Sequence, residues 1–179
     1  DLSPSSKRVK PGLKLLSKAL ARLTGCRSLG LELDFDKSFS DHEIYELASY
    51  LKRIRGLQAF KFKLGGQYGL NHIINTASNI TDLGLFKFLD ILHKFTQLFE
   101  LSIHFKNCKK ITEEGILECM ANYFKPNYFK SLNYKFEGYS MQNPHKILSI
   151  LNPLSLNHDL KDIKLRVQSS PDFVARYSK

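Results

Sequence analysis

TQLFELSIHFKNCKKITEEG, residues Thr96 to Gly115, holds a strand, a turn and a helix start in that order, and the same order recurs on both sides of it. Leu98, Leu101, Ile103 and Phe105 read as a strand with one apolar face. Ile111-Thr112-Glu113-Glu114-Gly115 reads as the entry to a helix. Thr112 is the candidate N-cap, and the acidic residues after it stand where the helix dipole favours negative charge.

Working outward from this stretch, a repeat emerges as columns. From Leu29, Leu31 and Leu33, steps of 31, 41, 31 and 31 residues land on Phe60, Phe62 and Leu64, on Leu101, Ile103 and Phe105, on Leu132, Tyr134 and Phe136, and on Ile163, Leu165 and Val167. The same steps align Leu13, Ile44, Leu85, Ile116 and Ile147; Leu16, Leu47, Phe88, Cys119 and Ile150; and Leu20, Leu51, Leu92, Tyr123 and Leu154. These three columns stand at i, i+3 and i+7, the inner stripe of an amphipathic helix. Cys26, Leu57, Leu98, Phe129 and Leu160 form one more column, and Leu23, Ile54 and Phe95 begin another that fails at Pro126 and Asn157. Those two are the only failures in forty cells, whereas a chain 42% apolar would fill fewer than half by chance. Helix-start signals recur at Phe39-Ser40-Asp41, Ile80-Thr81-Asp82 and Ile111-Thr112-Glu113, and slip to Met141 in the last unit.

Along the chain, residues 1–11 read as a flexible basic arm, 12–167 as one domain of about five repeats, and 168–179 as a tail or cap. Helices are expected from Pro11, over 41–54 after Ser40, over 82–95 after Thr81, from Thr112 to Tyr123 or Phe124, and over 144–151. Strands are expected over 28–35, 57–64, 99–105, 130–136 and 160–167. A ten-residue insertion within 65–79, with Gly65, Gly66 and Gly69, reads as a flexible loop. In the tail, Phe173, Val174 and Tyr177 are placed to cover the last strand edge. Strand followed by helix, repeated, calls for right-handed crossovers and a parallel sheet, and predicts a curved solenoid with strands inside and helices outside.

This pattern resembles the leucine-rich-repeat family, in the long-repeat form of ribonuclease inhibitor. The motif Leu-x-Leu-x-Leu followed by Ile-Thr-Asp/Glu-x-Gly-Leu/Ile is kept best at Ile80 to Leu85 and Ile111 to Ile116. Aromatic residues replace several leucines and the period is 31, which marks a divergent member of protist type. The resemblance implies an α/β leucine-rich-repeat solenoid, protein recognition without catalysis, and a Cys108 packed into its turn.

Composition narrows the setting. Twenty-seven basic against 17 acidic residues give a net charge of +10, which attracts an acidic protein surface or nucleic acid. No apolar run approaches membrane-span length and no signal-peptide core is present, which favours a cytoplasmic or nuclear setting. Cys26, Cys108 and Cys119 lack the spacing of a disulfide framework or zinc site.

Residues between the buried strand columns point the other way and define the open face. Its middle row reads Glu32, Lys63, His104, Lys135, Arg166; the row before it Gly30, Lys61, Ser102, Asn133, Lys164; the row after it Asp34, Gly65, Lys106, Glu137, Gln168. Lys61, Lys63, His104, Lys106, Lys135, Lys164 and Arg166 are the candidate binding residues, a basic strip suited to an acidic protein partner. The alternative partner is nucleic acid or a ribonucleoprotein, held by the same strip and the basic arm. Lys63 and Lys135 are expected to depress the pKa of His104. GGQYGLNH lacks the Lys-Ser/Thr of a phosphate loop, and none of the six histidines forms a zinc-protease pair. No catalytic residue, metal or cofactor is expected, and the sequence favours an interaction module or scaffold subunit over an enzyme.

Overall fold

The computed structural model describes residues 11–34, 39–65, 79–123, 129–137, 161–168 and 173–178. Its elements are α1 (Pro11–Leu20), β1 (Ser28–Asp34), α2 (Asp41–Leu51), β2 (Ala59–Gly65), α3 (Asp82–Leu92), β3 (Glu100–Lys106), α4 (Glu113–Tyr123), β4 (Ser131–Glu137), β5 (Asp162–Gln168) and β6 (Phe173–Ser178). One sheet carries the strands in chain order. β1 to β5 run parallel, and β6 turns back antiparallel on β5.

The register matches the sequence columns residue for residue. Leu31 pairs with Phe62, Phe62 with Ile103, Ile103 with Tyr134 and Tyr134 with Leu165. Apolar parity drives this, because a slip of one residue would turn every buried side chain of a strand out to solvent. Helices that connect parallel neighbours with one hand fall on one face of the sheet. There Ile44, Leu47, Leu51, Leu85, Phe88, Leu92, Ile116 and Cys119 join the strand columns in one core.

Aromatic substitution within the repeat has a packing consequence. The Phe88 ring lies 4.7 Å from that of Phe62 and 6.4 Å from that of Phe105, so one helical side chain bridges two strands. Phe105 stacks in turn on Phe136, 6.0 Å away. Offset and edge-to-face contacts of this kind add about 0.5–1.5 kcal/mol per pair beyond the area they bury.

The helix-start motif forms a ladder between turns. Thr81 donates its backbone N–H to Asp41 Oδ1 (2.7 Å) and its hydroxyl to Asp41 Oδ2 (2.7 Å). One repeat on, Thr112 donates in the same two ways to Asp82, at 2.7 and 2.8 Å. The glycine of the motif exists for this rung. A Cβ on Gly84 would overlap the Asp41 carboxylate, and one on Gly115 would overlap that of Asp82. The matching position in the first of these turns is Glu43, which instead accepts the Ser40 N–H (2.8 Å) in a capping box.

Several sequence expectations are corrected. Thr81 stands at the N-cap position of α3, but its side chain makes no cap hydrogen bond; Thr112, whose hydroxyl donates to Asp82 just as that of Thr81 donates to Asp41, does cap, accepting from Gly115 N–H at 3.0 Å. α2 and α3 stop at Leu51 and Leu92, and the turns that follow bring Ile54 and Phe95 back onto the core. Leu23 is 39% exposed, unlike its column partner Ile54, which is fully buried. Cys108 is buried and its thiol donates to the Lys106 carbonyl at 3.6 Å, as the resemblance implied. The preceding residue, Asn107, takes φ 56°, a left-handed turn conformation that Asn tolerates better than most side chains. The arm 1–10, most of the insertion (66–78) and the helix expected at 144–151 lie outside the described residues. In the tail, Phe173–Ser178 does cover the β5 edge, as a paired strand.

Candidate functional site

The face opposite the helices is laid out by strand register. Glu32, Lys63, His104, Lys135 and Arg166 are successive Cα partners in one row across five strands. Gly30, Lys61, Ser102, Asn133 and Lys164 form the row beside it. Lys106 pairs with Glu137 in the third row, and the Lys106 side chain lies against Gly65, where a Cβ would come within 2.7 Å of its own. All seven sequence candidates therefore lie within three adjacent rows of one surface.

Electrostatically the strip is less uniform than its composition suggests. Lys63 forms an ion pair with Glu32. Glu137, whose side chain is only 15% exposed, gathers three partners: Lys135 Nζ at 2.8 Å, His104 Nε2 at 3.1 Å and Lys106 Nζ at 3.2 Å. Burial alone would raise the Glu137 pKa, but hydrogen bonds from Lys135 and Lys106 outweigh it and hold the carboxyl at about 2. For His104 the expected depression is present with a different leading cause. Burial disfavours the imidazolium most, Lys135 and Lys63 repel it, and Glu137 pulls the other way. Lys61, Lys164 and Arg166 have no carboxylate partner among the described residues, and Arg166 Nε is buried without an acceptor.

The Gly30 row and the next one, Ser28, Ala59, Glu100, Ser131 and Asp162, line a groove of about 510 Å³ across the N-terminal halves of the strands. Gly30, Ala59, Ser102 and Asn133 line it together with Lys61 and Lys164. Asn133 Nδ2 donates to Ser102 Oγ at 3.2 Å, so the groove lining is itself hydrogen-bonded across neighbouring strands. The sequence signal for the groove was present in the small residues of the two rows, Ser28, Gly30, Ala59, Ser102 and Ser131. Two features were harder to find: Glu137 as the hub of the basic cluster, and Asp41 and Asp82 as rungs. Asp41 and Asp82 act across repeats on neighbours 40 and 30 residues distant, and Glu137 joins Lys135 of its own strand to His104 and Lys106 of β3.

Burial pushes the Cys119 thiol and the Tyr134 hydroxyl upward, so both stay protonated in the core at neutral pH. Among the described residues no group of three or more His, Cys, Asp or Glu side chains is arranged to hold a metal ion, and no helix is long and apolar enough to cross a membrane.

No protein-family model matches the chain, and no curated protein matches it. Among solved structures it is similar to the actin-binding site 2 of leiomodin-1, at 17% identity over 89% of this chain and 79% of that one, with a TM-score of 0.49. A parallel sheet whose strands alternate with helices, repeated in register, fits a leucine-rich-repeat-like fold.

Proposed function

We propose that this chain is a leucine-rich-repeat solenoid of the long-repeat, ribonuclease-inhibitor-like type. It acts as a non-catalytic interaction module, a scaffold subunit of a larger assembly in the cytoplasm or nucleus. Its open sheet face binds an acidic surface of a protein partner through Lys61, Lys63, His104, Lys106, Lys135, Lys164 and Arg166. The observation that carries this reading is the register that lines Lys63, His104, Lys135 and Arg166 along one row, beside Lys61 and Lys164. Clustered like charges on one wall steer an opposite partner and fix its orientation more than they add raw affinity.

Within the strip, Lys61, Lys164 and Arg166 carry the first contacts, because Lys63, Lys106 and Lys135 already share Glu32 and Glu137. A Glu-rich peptide and a random-sequence single-stranded RNA, titrated at low and at physiological salt, test the reading. The peptide is expected to bind, and the combined change Lys61→Glu, Lys164→Glu and Arg166→Glu to abolish that binding while the thermal midpoint holds. Tighter binding of RNA, lost steeply with salt, would move the assignment to nucleic acid.

A further inference from the structure

Resting on the reading of the open face as an acid-binding surface, we propose that its groove takes one extended segment of the protein partner. The segment crosses the strands and carries acidic side chains four residues apart, one meeting Lys61 of β2 and the other Lys164 of β5.

Register sets the spacing. Lys61, Ser102, Asn133 and Lys164 are successive Cα partners on β2, β3, β4 and β5, and all four line the groove. Neighbouring strands lie about 4.8 Å apart, so the two lysines stand about 14 Å apart across the sheet. An extended chain advances about 3.4 Å per residue and turns alternate side chains the same way, so its residues i and i+4 share a face at about 14 Å. Residues i and i+2 span only half of that distance, and residue i+3 points to the opposite side. The floor decides the conformation of the occupant. Two rows of side chains cover about 7 Å along a strand, narrower than the roughly 10–12 Å of a helix with its side chains. At the β1–β2 end Gly30 and Ala59 keep the floor low, and a Cβ added at Gly30 would meet nothing within 4 Å beyond its own chain neighbours. The next row, with Lys63, His104 and Lys135, carries longer side chains and bounds the groove on that side.

The charges of the groove select a peptide over a nucleic acid. Glu100 and Asp162 line it one row away from the lysines, and both are exposed. Carboxylates in that place repel a phosphate backbone, which has no N–H to offer them, but they accept the backbone N–H groups of a peptide. Lys61 and Lys164 have no ion pair among the described residues, so an incoming carboxylate displaces none there. Between the two lysines, Asn133 donates one N–H to Ser102 Oγ at 3.2 Å. Its carbonyl oxygen and second N–H are the kind of groups that meet the amides at the middle of the segment.

The probes are two end-capped peptides of equal composition and charge: SESSSES, with glutamates at i and i+4, and SESESSS, with glutamates at i and i+2. Each is titrated into the whole chain and followed by the backbone amide NMR signals. SESSSES is expected to shift the signals of Lys61 and Lys164 together and to bind about threefold tighter or more than SESESSS, because only it reaches both lysines at once. Lys61→Ala and Lys164→Ala should each bring the ratio of the two affinities to about one. Equal affinities for the unaltered chain overturn the proposal without recourse to any variant. So does a preference that survives both substitutions, or the absence of a shift at either lysine. A random-sequence single-stranded RNA that displaces SESSSES from the groove would assign it to nucleic acid and overturn the proposal too. If the Glu-rich peptide binds the open face while the two isomers bind alike, the spacing fails and the broader reading stands. If the Glu-rich peptide does not bind, the broader reading fails and the groove proposal falls with it.

Discussion

Among the described residues, the two edges of the sheet differ. At β5 the direction reverses, and Phe173–Ser178 pairs antiparallel over Asp162 to Val167, so the last repeat gains a neighbour that is not itself a repeat. At β1 the described residues offer no such strand, and the leucines that continue the core columns are half open. In an array where each unit leans only on its neighbours, burial at a position is set by what lies beside it rather than by its own side chain. Leu31 and Phe62 occupy one column and are both strongly apolar, yet one is half-buried and the other fully enclosed.

The largest expected effect makes that contrast measurable. Phe62→Ala, which empties the contact with Phe88 and Phe105, should cost about 3–5 kcal/mol in urea unfolding, whereas Leu31→Ala at the open edge should cost about 1–2 kcal/mol. Equal losses would mean that β1 is as enclosed as β2.

Next come the rungs between turns. Gly84→Ala and Gly115→Ala each displace an aspartate that accepts two hydrogen bonds, with an expected loss of about 2 kcal/mol. Glu43→Ala, in the first of these turns, gives up only a capping box and should cost about 1 kcal/mol. A harmless Gly84→Ala, seen as an unchanged denaturation midpoint, would show that the Asp41 carboxylate does not sit over that glycine.

Ending the chain at Gln168 removes β6 and should make the β5 edge resemble the β1 edge. Amides of Asp162–Gln168 are then expected to exchange about tenfold faster or more, with β2 and β3 unchanged. Uniform loss of protection throughout the sheet would instead mean that the closing strand supports the whole array.

The smallest effect is electrostatic and follows pH. The folded pKa of Glu137 lies at about 2, below its ordinary 4.5, so the unfolded chain takes up the proton first as pH falls. Its contribution to stability is therefore present above pH 4.5 and lost between that value and about 2; Glu137→Gln should flatten this part of the acid limb. His104 is likewise depressed below 6.5, so acidification through that value also favours the unfolded chain. In Glu137→Gln the His104 midpoint, followed by its ring-proton NMR signal, should fall further because a carboxylate that raises it has gone. A rise would contradict the contact between them.

How much was legible in advance depends on whether a residue acts within its own repeat or between repeats. The columns gave strand register correctly because side-chain parity is a local property, and a parallel array in chain order repeats it unchanged. The Ser40 cap was readable for the same reason, since Ser40 and Glu43 are three residues apart. Thr81 does stand at the N-cap position, as its sequence indicates, but its side chain makes no cap hydrogen bond and its hydroxyl donates instead to Asp41 of the neighbouring turn, a contact that local spacing does not show. The basic strip was visible as composition; its partial neutralisation by Glu137 became visible only with side chains in place.

Sequence alone determined the repeat, the direction of the strands and which residues share a face, because periodic apolar burial leaves few ways to stack short strand and helix units. Tertiary structure decided which lysines have carboxylate partners, why Gly84 and Gly115 must lack side chains, and how the β5 edge is covered. Those outcomes turn on distances of a few ångströms between side chains, most of them in different repeats, and spacing along the chain gives the rows but not those distances.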